Sequence, residues 1–63
     1  MRMAKLRDFY GTGFVYVNPD RVFSLEVTTD NKTMIRSSGL EEDYIIVDEP
    51  IDITAVRLEN ARQ

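Results

Sequence analysis

Cysteine, histidine and tryptophan are all absent from the 63 residues. Without cysteine there is no disulfide staple and no thiolate nucleophile. Without histidine the usual general base is missing, and the two losses together remove the common ligands of structural zinc. Long apolar runs are missing as well. Nothing approaches the ~20 residues of a membrane-spanning helix, and Met1-Arg2-Met3-Ala4-Lys5 leads into Leu6-Arg7-Asp8 without the apolar centre of a signal peptide. A cytoplasmic location without membrane insertion is the expectation. Positive charge is in deficit, with eight Lys+Arg against eleven Asp+Glu and a net charge of -3. That is the wrong sign for gripping phosphate backbones, so nucleic acid is not the expected partner.

What is present suits one small domain spanning residues 1–63. With 43% hydrophobic and 30% charged residues, the chain is apolar enough to fold. A chain of this size buries only ~60% of its unfolded surface, and conformational entropy at ~1.5 kcal/mol per residue nearly cancels what so small a core supplies. Marginal stability, or stabilisation by assembly, follows.

Between Met3 and Val47 the pattern is one of short strand-like runs separated by turn residues, as in a small antiparallel sheet. The first run covers about Ala4 to Tyr10 and ends at Gly11-Thr12-Gly13, where two glycines permit a tight reversal. Phe14-Val15-Tyr16-Val17 is a second strand, β-branched or aromatic at every position and suited to burial on both faces. Asn18-Pro19-Asp20 is a structural turn, because proline fixes φ and removes a donor while Asn and Asp cap nearby amides. Val22 to Val27 alternates, with Phe23, Leu25 and Val27 expected on one face and Ser24 and Glu26 on the other. Thr33 to Ser37 returns as its hairpin partner after a polar turn over Thr28 to Lys32, and Tyr44-Ile45-Ile46-Val47 forms the fifth strand after the polar stretch Ser38 to Asp43.

The last segment has two readings. Asp48 and Glu49 precede Pro50, which is well placed at a first helical position, and Arg57 and Arg62 fall towards the far end, as the helix dipole favours. Ile51, Thr54, Ala55 and Leu58 form an i, i+3, i+4, i+7 stripe, with Ala61 or Arg62 a turn further on. A sixth strand is the alternative, since Ile51, Ile53, Thr54 and Val56 are β-branched. Helix is favoured. The expected fold class is therefore mainly β (α+β): a small five-stranded antiparallel sheet or barrel with one short C-terminal helix.

Three constellations bear on chemistry. Residues 41–52 hold six of the eleven acids: Glu41, Glu42, Asp43, Asp48, Glu49 and Asp52. No alternating Asp/Asn-plus-Gly calcium loop is present, so a solvated loop and a helix N-terminus account for them, with no metal or other cofactor expected. Glu41, Glu42 and Asp43, with neighbouring Tyr44, remain as candidate partner-binding residues. Five of the six aromatics, Phe9, Tyr10, Phe14, Tyr16 and Phe23, lie in the first 23 residues beside Arg2, Lys5 and Arg7. Such a set could stack single-stranded bases, yet a sheet this small needs bulky residues inside, so most of the rings are expected in the core. Gly11-Thr12-Gly13 lacks the third glycine and lysine of a phosphate loop, so Gly11 and Gly13 are read as hairpin-turn residues. A chain this short has little volume for a dry concave pocket, and no catalytic residues are expected.

Phe14-Val15-Tyr16-Val17-Asn18-Pro19-Asp20-Arg21-Val22, followed by a strand with Leu25-Glu26, a polar turn, a further strand and Val47-Asp48-Glu49-Pro50-Ile51, resembles the small FlbD-type proteins associated with bacterial flagella. The similarity runs from about Leu6 to Leu58. It implies a compact sheet capped by a short helix, non-catalytic and cytoplasmic, acting by contact with other proteins, with Asn18, Pro19 and Asp20 as structural turn residues. The chain departs from that pattern in its longer acidic stretch Ser37 to Asp43 and its more β-branched C-terminal segment. The expectation is a protein–protein interaction module acting through a sheet edge and the acidic loop, within a homo-oligomer or a heteromeric assembly. Two alternatives stand beside it: a phage-encoded protein that binds a host protein or mimics nucleic-acid charge, and a self-assembling virion or motor component.

Overall fold

The structure is a computed structural model that describes residues 2–39 and 42–62. Among the described residues there are five strands: β1 (Ala4–Arg7), β2 (Phe14–Val17), β3 (Val22–Val27), β4 (Thr33–Ser37) and β5 (Tyr44–Val47). A 3-10 turn, Pro19–Arg21, joins β2 to β3, and α1 (Ile51–Arg62) is the last of the described elements. The strands form two antiparallel sheets, β1-β2 and β3-β4-β5, not one continuous sheet and not a closed barrel. The final segment is helical, so the sixth-strand alternative falls.

The stretch from Asp48 to Pro50 joins the two sheets and the helix. Asp48 N–H donates to Arg7 O at 3.0 Å, and the Glu49 carboxylate accepts from Arg7 N–H at 3.3 Å and from the Arg57 guanidinium at 2.7 Å. Arg57 also reaches Lys5 O at 3.4 Å. Buried Thr33 donates its hydroxyl to Glu49 O at 2.7 Å, and buried Thr54 donates to Pro50 O at 3.0 Å. Desolvating a hydroxyl is costly unless it keeps a partner, and both threonines keep one. Pro50 carbonyl also accepts the Thr54 N–H, so helix hydrogen bonding begins at the proline.

The core is aliphatic. Ala4, Leu6, Val17, Ile35, Val47 and Leu58 are buried, with Val15, Val22, Leu25, Ile45 and Ala61 packed against them. No aromatic ring belongs to this cluster, which corrects the sequence expectation. Phe9 is 42% exposed, Phe14 55%, Tyr16 62%, Phe23 73% and Tyr10 81%. In the β1-β2 pair Ala4 faces Val17 and Leu6 faces Val15, so the period of two turns Lys5, Arg7, Phe14 and Tyr16 together onto the opposite face. β2 is thus buried on one side only.

Three further expectations change. β1 stops at Arg7, not Tyr10, because Asp8 closes a loop: its carbonyl accepts from Gly11 N–H at 3.0 Å and its carboxylate from Thr12 N–H at 3.1 Å. Along β3 the alternation breaks at a bulge, where Val22 faces Ser37 and Ser24 faces Arg36, leaving Phe23 as the extra residue. Phe23 and Val27 are exposed, and Val22 and Leu25 take the inward positions. On α1 Thr54 and Leu58 are buried, Ala61 packs against the core and Ile51 is half-buried, while Ala55 is exposed.

Gly11 has φ +74, and a Cβ there would lie 2.7 Å from Asp48 Oδ2. Gly11→Ala is therefore expected to cost about 1–3 kcal/mol, lowering the melting temperature by roughly 4–8 °C per kcal/mol in a domain of this size. Thermal unfolding of Gly11→Ala beside Gly13→Ala checks this, since Gly13 lacks the positive φ and the added Cβ would sit 3.3 Å from Asp8 Oδ2. Equal melting of Gly11→Ala and wild type would refute the strained-turn account.

Candidate binding face

The outward face of the β1-β2 hairpin gathers the exposed side chains of Lys5, Arg7, Phe14 and Tyr16. Register sets Lys5 opposite Tyr16 and Arg7 opposite Phe14. The Lys5 ammonium leans across the strand boundary and sits 4.3 Å from the centroid of the Phe14 ring, a cation–π distance. At the hairpin tip the pattern repeats with another partner: Lys32 Nζ lies 4.1 Å over the Phe9 ring and donates to Phe9 O at 2.7 Å, while Phe9 meets Tyr10 edge-on at 5.2 Å.

Backbone geometry adds an open strand edge. Asp8 N–H bonds Gly13 O at 3.1 Å, and both the N–H and the carbonyl of Arg7 are taken by Glu49 and Asp48 on the side away from β2. In an antiparallel ladder hydrogen-bonded and non-bonded pairs alternate, so Arg7–Phe14 and Lys5–Tyr16 are non-bonded pairs. The backbone polar groups of Phe14 and Tyr16 then point away from β1, along the side of β2 that has no strand neighbour. Beside this edge lies a cleft of about 440 Å³ whose lining includes Met3, Tyr16, Ile45, Arg21, Ser37 and Ser38. A smaller recess of about 220 Å³ runs between the 3-10 turn and α1, and the Arg62–Asp20 pair, 3.8 Å apart, links the same two elements.

Among the described residues the ion pairs join Arg36 to Glu26, Arg57 to Glu49 and Arg62 to Asp20. Lys5, Arg7 and Arg21 take part in none of them. A local cationic patch with aromatic content therefore sits on a chain whose net charge is -3.

The acidic candidates belong to the β4–β5 loop, whose first residues, Ser38 and Gly39, border the same cleft. Glu41 lies outside the described residues. Glu42 and Asp43 are exposed, and Asp43 has φ +62 at the close of the β4–β5 loop, where its carbonyl accepts from Ser37 N–H at 3.0 Å. Tyr44 opens β5, 38% exposed, and faces Arg36. Asp48 and Glu49 face the opposite direction in function: they brace the junction of sheets and helix, and Asp52 Oδ1 accepts from Ile53 N–H. No group of three or more acidic side chains among the described residues is arranged to hold a metal ion. Gly11 and Gly13 lie in the β1–β2 loop. Asn18 Oδ1 accepts from Asp20 N–H at 3.0 Å and Asn18 O from Arg21 N–H at 3.1 Å, so this side chain caps the 3-10 turn that contains buried Pro19. Asp30, fully exposed in the β3–β4 turn, has its carboxyl held below the usual range chiefly by the Thr28 hydroxyl that donates to it at 2.7 Å.

The sequence reading missed the hairpin face because it placed the rings inside. The signal was available in β1: Lys5 and Arg7 alternate with Ala4 and Leu6, so the residues paired with the two cations must share their side. No helix among the described residues is long and apolar enough to cross a membrane. Comparison with known protein families, curated proteins and solved structures finds no match for this chain.

Proposed function

We propose that the chain is a non-enzymatic protein–protein interaction module whose binding surface is the outer face and open edge of the β1-β2 hairpin. The observation that carries this reading is the outward pair Phe14 and Tyr16, 55% and 62% exposed on a strand with an unpaired edge. Large rings exposed beside an open edge mark surfaces that another chain covers, and aromatic and arginine side chains supply most of the energy of such contacts. The absence of cysteine and histidine agrees with a role in contact and not in turnover. Glu42, Asp43 and Tyr44, in and after the β4–β5 loop whose start borders the cleft, offer a second, acidic contact within a homo-oligomeric or heteromeric assembly. The resemblance to small flagellar-associated proteins fits an accessory role in the cytoplasm, and a phage protein that binds a host factor would present the same kind of surface.

Capture of binding partners from the source cells by the wild-type chain and by the Phe14→Ser/Tyr16→Ser double variant tests the surface. Both rings are outside the core, so the variant should keep the wild-type circular dichroism spectrum and lose the captured partner. An unchanged set of partners refutes the assignment.

A further inference from the structure

Resting on the interaction-module reading, we infer that the occupant of the hairpin surface is an extended acidic peptide segment, added as a strand to the open edge of β2 with its carboxylates on Lys5, Arg7 and Arg21. Three observations converge on that chemistry. The edge supplies backbone donors and acceptors at Phe14 and Tyr16, the residues whose polar groups point away from β1. An extended peptide satisfies such a row directly, and its alternate side chains then meet the face above it. Lys5 is held 4.3 Å over the Phe14 ring, which carries its ammonium across from β1 to lie above β2. Strands sit ~4.8 Å apart, so from there the charge reaches the side chains of a strand one position further out.

The cleft beside the edge supplies the third point. Its lining combines Arg21, Ser37 and Ser38 with Tyr16 and Met3. That combination takes a carboxylate and a neighbouring apolar side chain from one segment. Lys5, Arg7 and Arg21 are the cations at this surface, and none of them has an acidic partner among the described residues. Although the whole chain carries -3, charges beyond ~8 Å are largely screened at physiological salt, so cations without an ion-pair partner beside the edge outweigh distant acids in docking.

The same features disfavour other occupants. A second copy pairing β2 with β2 would bring the same cations to the same face. Base stacking by a nucleic-acid strand needs open ring faces; Lys5 covers a face of Phe14 and Lys32 a face of Phe9, which narrows the open rings here to Tyr10 and Tyr16.

The test uses the full chain and a fluorescein-labelled peptide of about ten residues that alternates glutamate with valine and phenylalanine, a pattern with high strand propensity. Fluorescence anisotropy should show saturable binding that weakens as salt is raised. The Lys5→Glu/Arg7→Glu/Arg21→Glu variant should weaken it by about 10- to 100-fold, as the loss of three exposed charge pairs implies. In the unaltered chain, peptide binding should slow hydrogen exchange at the Phe14 and Tyr16 amides, a readout that no misfolded variant can mimic. Equal binding of a lysine-for-glutamate peptide, of a peptide N-methylated at alternate amides, or of oligothymidylate in its place would overturn the inference. If no peptide binds while the Phe14→Ser/Tyr16→Ser variant still loses its captured partner, the occupant is wrong and the module reading stands. If capture is unaffected, the surface itself is wrong.

Discussion

Ile35→Ala is expected to lower unfolding free energy by about 2–5 kcal/mol, the range for removing branched aliphatic volume from a packed interior. Ile35 is fully buried on β4, the central strand of the three-stranded sheet, between Leu25 on β3 and Ile45 on β5. Its neighbours belong to a sheet on one side and contribute to a cluster that includes Leu6, Val47 and Leu58, so collapse around the gap would have to move several elements at once. At about 0.05–0.15 kcal/mol per residue, 63 residues hold only about 3–9 kcal/mol in total. The loss therefore takes a large share of the stability. Urea titration should show the midpoint falling sharply for Ile35→Ala and hardly at all for Val56→Ala, whose side chain is 56% exposed on α1. Similar midpoints for the two variants would mean that the core is not where the structure places it.

Leu58→Asp should be comparably severe by a different route. Leu58 is 6% exposed and is the deepest apolar contact that α1 makes with the rest of the core. A carboxylate there would be set into the aliphatic cluster that Leu58 fills, and Arg57 on the same helix is already paired with Glu49 at 2.7 Å. An uncompensated buried charge costs about 3–5 kcal/mol, so the helix undocks or the domain unfolds. The matched control is Ile53→Asp, at a position 41% exposed on the same helix. Circular dichroism melting should separate the pair widely, and equal melting would show that α1 does not depend on Leu58 for its seat.

These two positions illustrate how differently residues were legible. Leu58 was identifiable from a helical stripe beginning at Ile51 after an acidic, proline-marked start, and α1 packs it as that stripe implies. Ile35 sits in Thr33 to Ser37, a run legible only as the hairpin partner of β3, since Met34 and Ile35 are adjacent and apolar; the structure buries Ile35 with Thr33 and Ser37 on one side. Ala55 was assigned to the buried stripe and is exposed, because the helix rests on β1, β3 and the 3-10 turn across an arc too narrow to cover it. Phe23 went wrong for a separate reason: a bulge inserts one residue between Val22 and Ser24, and a pattern of period two has no means of recording it.

The candidate surface was the least legible feature. Phe14-Val15-Tyr16-Val17 is apolar at every position, so alternation cannot say which pair faces inward, and ring size alone argues for the wrong pair. The answer lies in the strand beside it, where Lys5 and Arg7 must stay in water and pairing carries Tyr16 and Phe14 out with them.

Local chemistry was enough to locate β2 to β5, to favour the helix over a sixth strand, to mark where Gly11 and Asn18 turn the chain, and to show that thiol and imidazole chemistry have no place here. Which face of β2 meets solvent, the division of the strands into two sheets, and the bracing of both sheets by Glu49 were decided only in three dimensions. Propensity, capping and turn preference act within a few residues, whereas facing and sheet membership depend on partners far away in the chain: Glu49 reaches Arg7 across 42 positions. Those distant pairings are what turn an apolar strand into an exposed aromatic surface.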